Sequence, residues 1–265
     1  MKYIFFIVFI LFSTCPLFGK KSGKIDENGH SGDIVRVLGF DLKMEPQRVL
    51  AEEITGALEI TIDGGVGKSD SDVEKLLRKV KEVVPNFTSK KYSHRIFFHW
   101  GFNGDPKKSK AIQQCLKDCN ATPTEESKVW ALILAEQKKR NRELMDSVQL
   151  ALSKKTGKAM PISRDQLNAI VSIGYDVHLL GDYISGVPDT QSALCPLDSI
   201  VADLITASRK IDGTDDETRS TLRKELNNAK EKGTPSQQAQ AMLDVLIKRM
   251  PKLLKSSSTV KAALY

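Results

Sequence analysis

The chain has 265 residues, with 40 lysines and arginines against 33 aspartates and glutamates, a formal net charge of +7 and a pI near 9.1. That balance suits anionic partners, either a phosphate-bearing substrate or an anionic envelope surface. The lysines are spread along most of the chain, so charge does not single out a nucleic-acid protein. After the first dozen residues no apolar stretch approaches the roughly 20 residues of a membrane span, so no transmembrane helix is expected once a signal is removed.

The chain opens Met1-Lys2-Tyr3 and then runs from Ile4 to Phe12 without a charge. One basic residue ahead of a short apolar run is the pattern of a secretory signal peptide, here residues 1–19. The protein is therefore expected to be exported: periplasmic, cell-surface or secreted. Two processing outcomes stay open. Cleavage near Gly19 frees the chain, whereas Leu11-Phe12-Ser13-Thr14-Cys15 is a loose lipobox that would anchor it by lipid on Cys15. Residues 20–33 are polar and glycine-rich and read as a linker, and 34–265 as a single all-helical domain. About 245 residues are enough to bury some 70–75% of the unfolded surface.

Within that domain an apolar run spans Ile34 to Leu42, and helical spacing covers Glu45 to Leu58 and Asp70 to Val84, with Ser69 and Ser71 as capping candidates. Between them lies Asp63-Gly64-Gly65-Val66-Gly67-Lys68-Ser69, which has the look of a phosphate-cradling loop. Glu59 to Ile62 could be the strand such a loop needs. However, the first glycine of the motif falls at Ile62, Asp63 brings negative charge, and no βαβ alternation follows. A flexible glycine turn fits better, and no nucleotide cofactor is expected.

Residues 85–108 read as irregular, with Pro85, Gly101, Gly104 and Pro106, and they hold His94 and His99. A long helix follows from Thr124 to Lys154, with Thr124 as its cap and Glu125 and Glu126 in its first turn. After a break at Gly157 to Pro161, Ser163 opens a strongly apolar helix. A loop with Gly186, Pro188 and Pro196 then leads to three amphipathic helices, Leu197–Ile211, Asp215–Lys230 and Ser236–Met250. Alternation of period two is scarce, so the class is all-α. Of the four cysteines, Cys15 falls in the leader. Cys115, Cys119 and Cys195 remain, and pairing among the three is left open.

Chemistry concentrates in Asp176-Val177-His178-Leu179-Leu180-Gly181-Asp182, near the end of the apolar helix. His178 and Asp182 stand four residues apart, which puts them one turn apart on one helix face. Burying such groups unpaired costs roughly 2–7 kcal/mol each, so they need a partner. Two explanations serve: a hydrogen-bonded pair that satisfies itself, or a divalent metal, since zinc takes imidazole nitrogen and carboxylate oxygen together. The chain has only three other histidines, His30, His94 and His99, and none lies in the charged second half.

Taken in order, these pieces resemble the superfamily of zinc-dependent phospholipases C and single-strand-specific zinc nucleases. The matching pieces are Gly29-His30 followed by a helix, Glu45-Pro46-Gln47 opening the next one, the aromatic-flanked Phe98-His99-Trp100, and His178-Leu-Leu-Gly181-Asp182. The resemblance implies an all-helical fold in which His99, His178 and Asp182 bind one zinc. His30 would serve a neighbouring metal that shares Asp182, giving one ion and at most two.

The chain departs from the family pattern in several places. Pro188 stands where a further histidine is expected, and no histidine follows His178. The family's N-terminal tryptophan has no counterpart, and Glu82 is the nearest stand-in for a water-activating carboxylate ahead of His99. The implied activity is metal-assisted hydrolysis of a phosphate ester, with phospholipid and nucleic acid both open as substrates. His94 or Arg95 would be phosphate contacts or simply packing. The competing expectation is an exported binding or interaction protein that keeps the helical fold with an incomplete metal site.

Overall fold

The structure, a computed structural model, describes residues 25–26, 28–62, 70–87, 110–156, 162–186, 196–231 and 233–265. Within them the chain is helical and no strand occurs. The elements are α1 (His30–Leu38), α2 (Glu45–Ile62), α3 (Asp70–Val83), α4 (Lys110–Asp118), α5 (Pro123–Thr156), α6 (Arg164–Ile184), α7 (Leu197–Arg209), α8 (Asp216–Lys230), α9 (Pro235–Ser256) and α10 (Ser258–Leu264). The signal, the glycine turn at 63–69, the histidine-bearing segment at 88–109, Pro188, Cys15 and Cys195 lie outside the described residues.

Helix α6 is the axis of the fold. It starts with a capping box, in which the Ser163 side chain accepts from the Gln166 amide and the Gln166 side chain accepts from Ser163 N–H. Every residue from Ala169 to Val177 is buried, so this helix is covered all round rather than on one stripe. It packs against α1, α2, α5, α7 and α9. Most buried apolar side chains form one cluster around it, with α1, α2, the C-terminal half of α5 and α7 to α10. A smaller cluster joins Leu76, Val80, Val84 and Phe87 to Ile112 and Leu116 of α4 and to Val129, Trp130 and Ile133. The 34-residue α5 contributes to both clusters, and at 1.5 Å per residue it is about 51 Å long.

Several boundaries differ from the sequence expectation, each for a local reason. The stretch read as linker gives way to helix at His30, and α1 stops at Leu38 because Gly39 takes φ +65°. A Cβ at Gly39 would also lie 2.6 Å from Pro251 Cβ, so the bare turn lets α9 approach. Helix α2 continues to Ile62, so Glu59 to Ile62 is helix rather than strand and the phosphate-loop context is absent.

Pro123, not Thr124, is the first residue of α5, in the position where proline costs no hydrogen bond. Thr122 caps it instead, exchanging bonds with Glu125. Helix α9 runs past Pro251 to Ser256, because Leu253 and Leu254 are buried in the core. Cys115 and Cys119 are free thiols; burial, then the neighbouring Cys119 and Asp118, push the Cys115 thiol up.

Candidate functional site

Positions 178, 181 and 182 share one face of α6, and the first residue of α1 lies over it. That residue, His30, is delivered by a closed turn. The Asp26 carbonyl accepts from Gly29 N–H, Gly32 N–H and the Ser31 hydroxyl, and Ser31 Oγ accepts from Asp26 N–H. The Asp26 carboxylate accepts from Asn28 N–H. The start of α1 is thereby held from the loop side before it meets α6.

Asp182 sits between the two imidazoles. His30 Nε2 is 3.8 Å from Asp182 Oδ1, and His178 Nε2 is 3.8 Å from Asp182 Oδ2. The two rings face each other with centroids 4.7 Å apart and planes inclined by 58°. Exposure falls inward, from 33% for the His30 side chain to 13% for His178 and 7% for Asp182. One edge of the site therefore meets solvent while the carboxylate is enclosed. Tyr175, also buried, stands one turn before His178 on the same face.

The contact is close because residue 181 is glycine. A Cβ built there would lie 2.0 Å from His30 Nδ1, 2.5 Å from Cε1 and 3.1 Å from Cγ. The His30 ring thus rests directly on the α6 backbone.

The geometry allows two kinds of chemistry. At 3.8 Å the nitrogen–oxygen pairs are too long for direct hydrogen bonds, which end near 3.2 Å. With protonated imidazoles they are ion pairs. With neutral imidazoles, the two nitrogens and the carboxylate oxygens are the donor set zinc prefers. Donors around a tetrahedral zinc stand roughly 3.3 Å apart, about half an ångström closer than here. Accordingly, no group of three or more His, Cys, Asp or Glu side chains among the described residues is already gathered tightly enough to hold a metal ion. The residue types fit zinc, while the spacing found here is wider than a bound ion would need.

Of the four expected ligands, the structure brings together His30, His178 and Asp182. His99, like His94 and Arg95, lies outside the described residues. Glu82 is exposed on α3, in the helix that builds the smaller cluster. Sequence reasoning assigned no role to Asp176, a second carboxylate on α6 that is 3% exposed. Burial first, and then the charge of Asp203 on α7, hold its carboxyl well above the usual carboxylate range. Its signal was an acid in the middle of an apolar run. No protein-family model, curated protein or solved structure matches the chain.

Proposed function

We propose that the chain is an exported zinc-dependent hydrolase of a phosphate ester, with phospholipid and nucleic acid as the two substrate classes its charge suits. The observation that carries this reading is the meeting of His30, at the start of the first described helix, with His178 and Asp182 on the central one. These are residues the zinc phospholipase and nuclease resemblance implies as ligands, and His99 completes the implied set. Zinc at this position would supply a Lewis acid that brings the pKa of water near 7 and offsets charge on a phosphoryl oxygen.

The chain's own residues do the rest. His178 and Asp182 present donors from one rigid helix turn. His30 approaches from the more exposed side. The apolar packing around α6 keeps water from the inner side of Asp182. Among the described residues no helix is long and apolar enough to cross a membrane, so a lipid substrate would be met at its surface.

The second reading is an exported, non-catalytic binding protein. It is favoured by Pro188 and by the absence of any histidine after His178, which leave the family's further ligands without counterparts.

Metal analysis of protein purified without chelators separates the two. The expected result is about one zinc per chain, lost in His178→Ala and Asp182→Ala, with zinc-dependent cleavage of a generic phosphodiester. Bound zinc without cleavage would favour the binding protein. No metal, with His178→Ala still folded, would leave an imidazole–carboxylate cluster that holds α1 to α6.

A further inference from the structure

We propose that Gly181 is a positioning residue, the seat on which the His30 imidazole is held against Asp182; its link to metal binding rests on the zinc reading above. Glycine is a poorer helix former than alanine. Its place inside the last turns of a fully packed helix therefore asks for a local reason, and His30 supplies one. The atoms that a Cβ at 181 would meet include His30 Cγ at 3.1 Å as well as Nδ1 and Cε1, so the root of the ring is involved and not only its tip. Sliding the ring sideways is restricted by His178, 4.7 Å away between centroids. Moving the backbone is restricted by the Asp26–Ser31 clamp and by the packing of α1 on α6. The remaining escape for His30 is rotation out toward solvent, which takes Nε2 away from Asp182 Oδ1.

Gly181 therefore ties two functions of α6 together. Its neighbour Asp182 offers the carboxylate, and its own missing side chain sets how closely the second imidazole reaches it. A methyl group at 181 should disturb the site while favouring the helix.

The test is a double-mutant cycle on the full chain in chelator, comparing wild type, Gly181→Ala, His30→Ala and the double variant. Gly181→Ala is expected to lower the melting temperature by about 4 °C when His30 is present. In the His30→Ala background it should leave the melting temperature unchanged or raise it, because alanine is the better helix former. Equal shifts in both backgrounds overturn the proposal, as does failure of both 181 variants to fold. Folding of the double variant where Gly181→Ala alone fails supports it.

Long-range proton–nitrogen NMR of the imidazoles gives a readout that general destabilisation would not move: His30 resonances should shift toward those of a solvated histidine in folded Gly181→Ala. Cobalt(II) titration then joins the seat to the metal reading, with affinity expected to fall about 10-fold or more in Gly181→Ala. Coupling in the cycle with no cobalt bound by either protein keeps the seat and overturns the zinc reading. Equal cobalt affinity in wild type and Gly181→Ala overturns the positioning role and leaves the zinc reading standing.

Discussion

Asp176 and Asp182 are carried by the same helix and are buried almost equally, at 3% and 5% exposure, yet their surroundings are opposite. Asp182 faces α1 and stands between two imidazoles. Asp176 is influenced by Asp203 of α7, another acid, and its carboxyl is held toward the protonated form by burial and by that like charge. Burial alone therefore does not set the surroundings of a carboxylate. What distinguishes Asp182 is that two imidazoles stand 3.8 Å from it, whereas the charge acting on Asp176 is another acid. Both histidines among the described residues lie against Asp182.

The largest expected effect comes from removing the balanced acid. Asp182→Ala leaves the two tilted imidazoles without the carboxylate that both approach, and it should cost about 2 kcal/mol. The figure is set below that of a fully enclosed pair because the His30 side chain is one-third exposed. Urea unfolding at neutral pH in chelator measures it. A loss below about 0.5 kcal/mol would mean that the trio contributes nothing to holding α1 on α6, and the contrast with Asp176 would lose its energetic basis.

How much of this could be read from the sequence follows the range of each interaction. Ser163 as the opening of α6 and the 3.6-residue spacing of α6 to α9 are local, and they were legible; the reciprocal bond with Gln166 and the place of Asp215 just before α8 rather than inside it emerge only in the structure. Local signals also misled. Pro251 suggested an end for α9, but two buried leucines beyond it carry the helix on. Helix α4 falls in the stretch left unassigned between the irregular segment ending at 108 and the helix expected from Thr124, although Ile112, Cys115 and Leu116 have helical spacing.

At the site, His178 and Asp182 form a pattern within one turn, and His30 was legible as Gly-His ahead of a helix. The seat at Gly181 was not, since only the fold brings His30 over it. Asp176 was hidden for a similar reason: its neighbour Asp203 belongs to a different helix.

A third acid sharpens the comparison from the exposed end of α6. Asp212, in the turn after α7, accepts from Gln166 Nε2, the Ser257 hydroxyl, Ser258 Oγ at 3.1 Å, and Thr259 Oγ1 at 2.9 Å. It thus ties the start of α6 to the junction of α9 and α10. These bonds, the one from Ser257 foremost, hold its carboxyl below the usual carboxylate range. Because the folded value is depressed, the stabilisation is present above the ordinary value of 3.8 and is lost as pH falls through the folded one. Asp212→Asn should cost about 1 kcal/mol at pH 7 after allowing for solvent screening. Its difference from wild type should narrow below pH 4. A difference that stays constant from pH 7 to pH 3 would show that the shape of the side chain matters and its charge does not.

Asp176 should behave in the opposite sense. Its folded value is raised, so the stability linked to it is fully present below the ordinary value of 3.8 and is lost as pH rises through the folded one. At neutral pH the chain either ionises a buried carboxyl beside Asp203 or keeps a proton there at a free-energy cost. Asp176→Asn removes that cost while keeping the shape, and should stabilise the protein by about 1 kcal/mol at pH 7 and by almost nothing at pH 4. Melting temperatures of the variant and wild type across that range, in chelator, decide the matter. A gain that grows with pH marks Asp176 as an acid tolerated by packing. A loss at pH 7 would mean that the ionised carboxylate makes a favourable contact of its own, and the two buried acids of α6 would then be alike in having a charge-balancing partner.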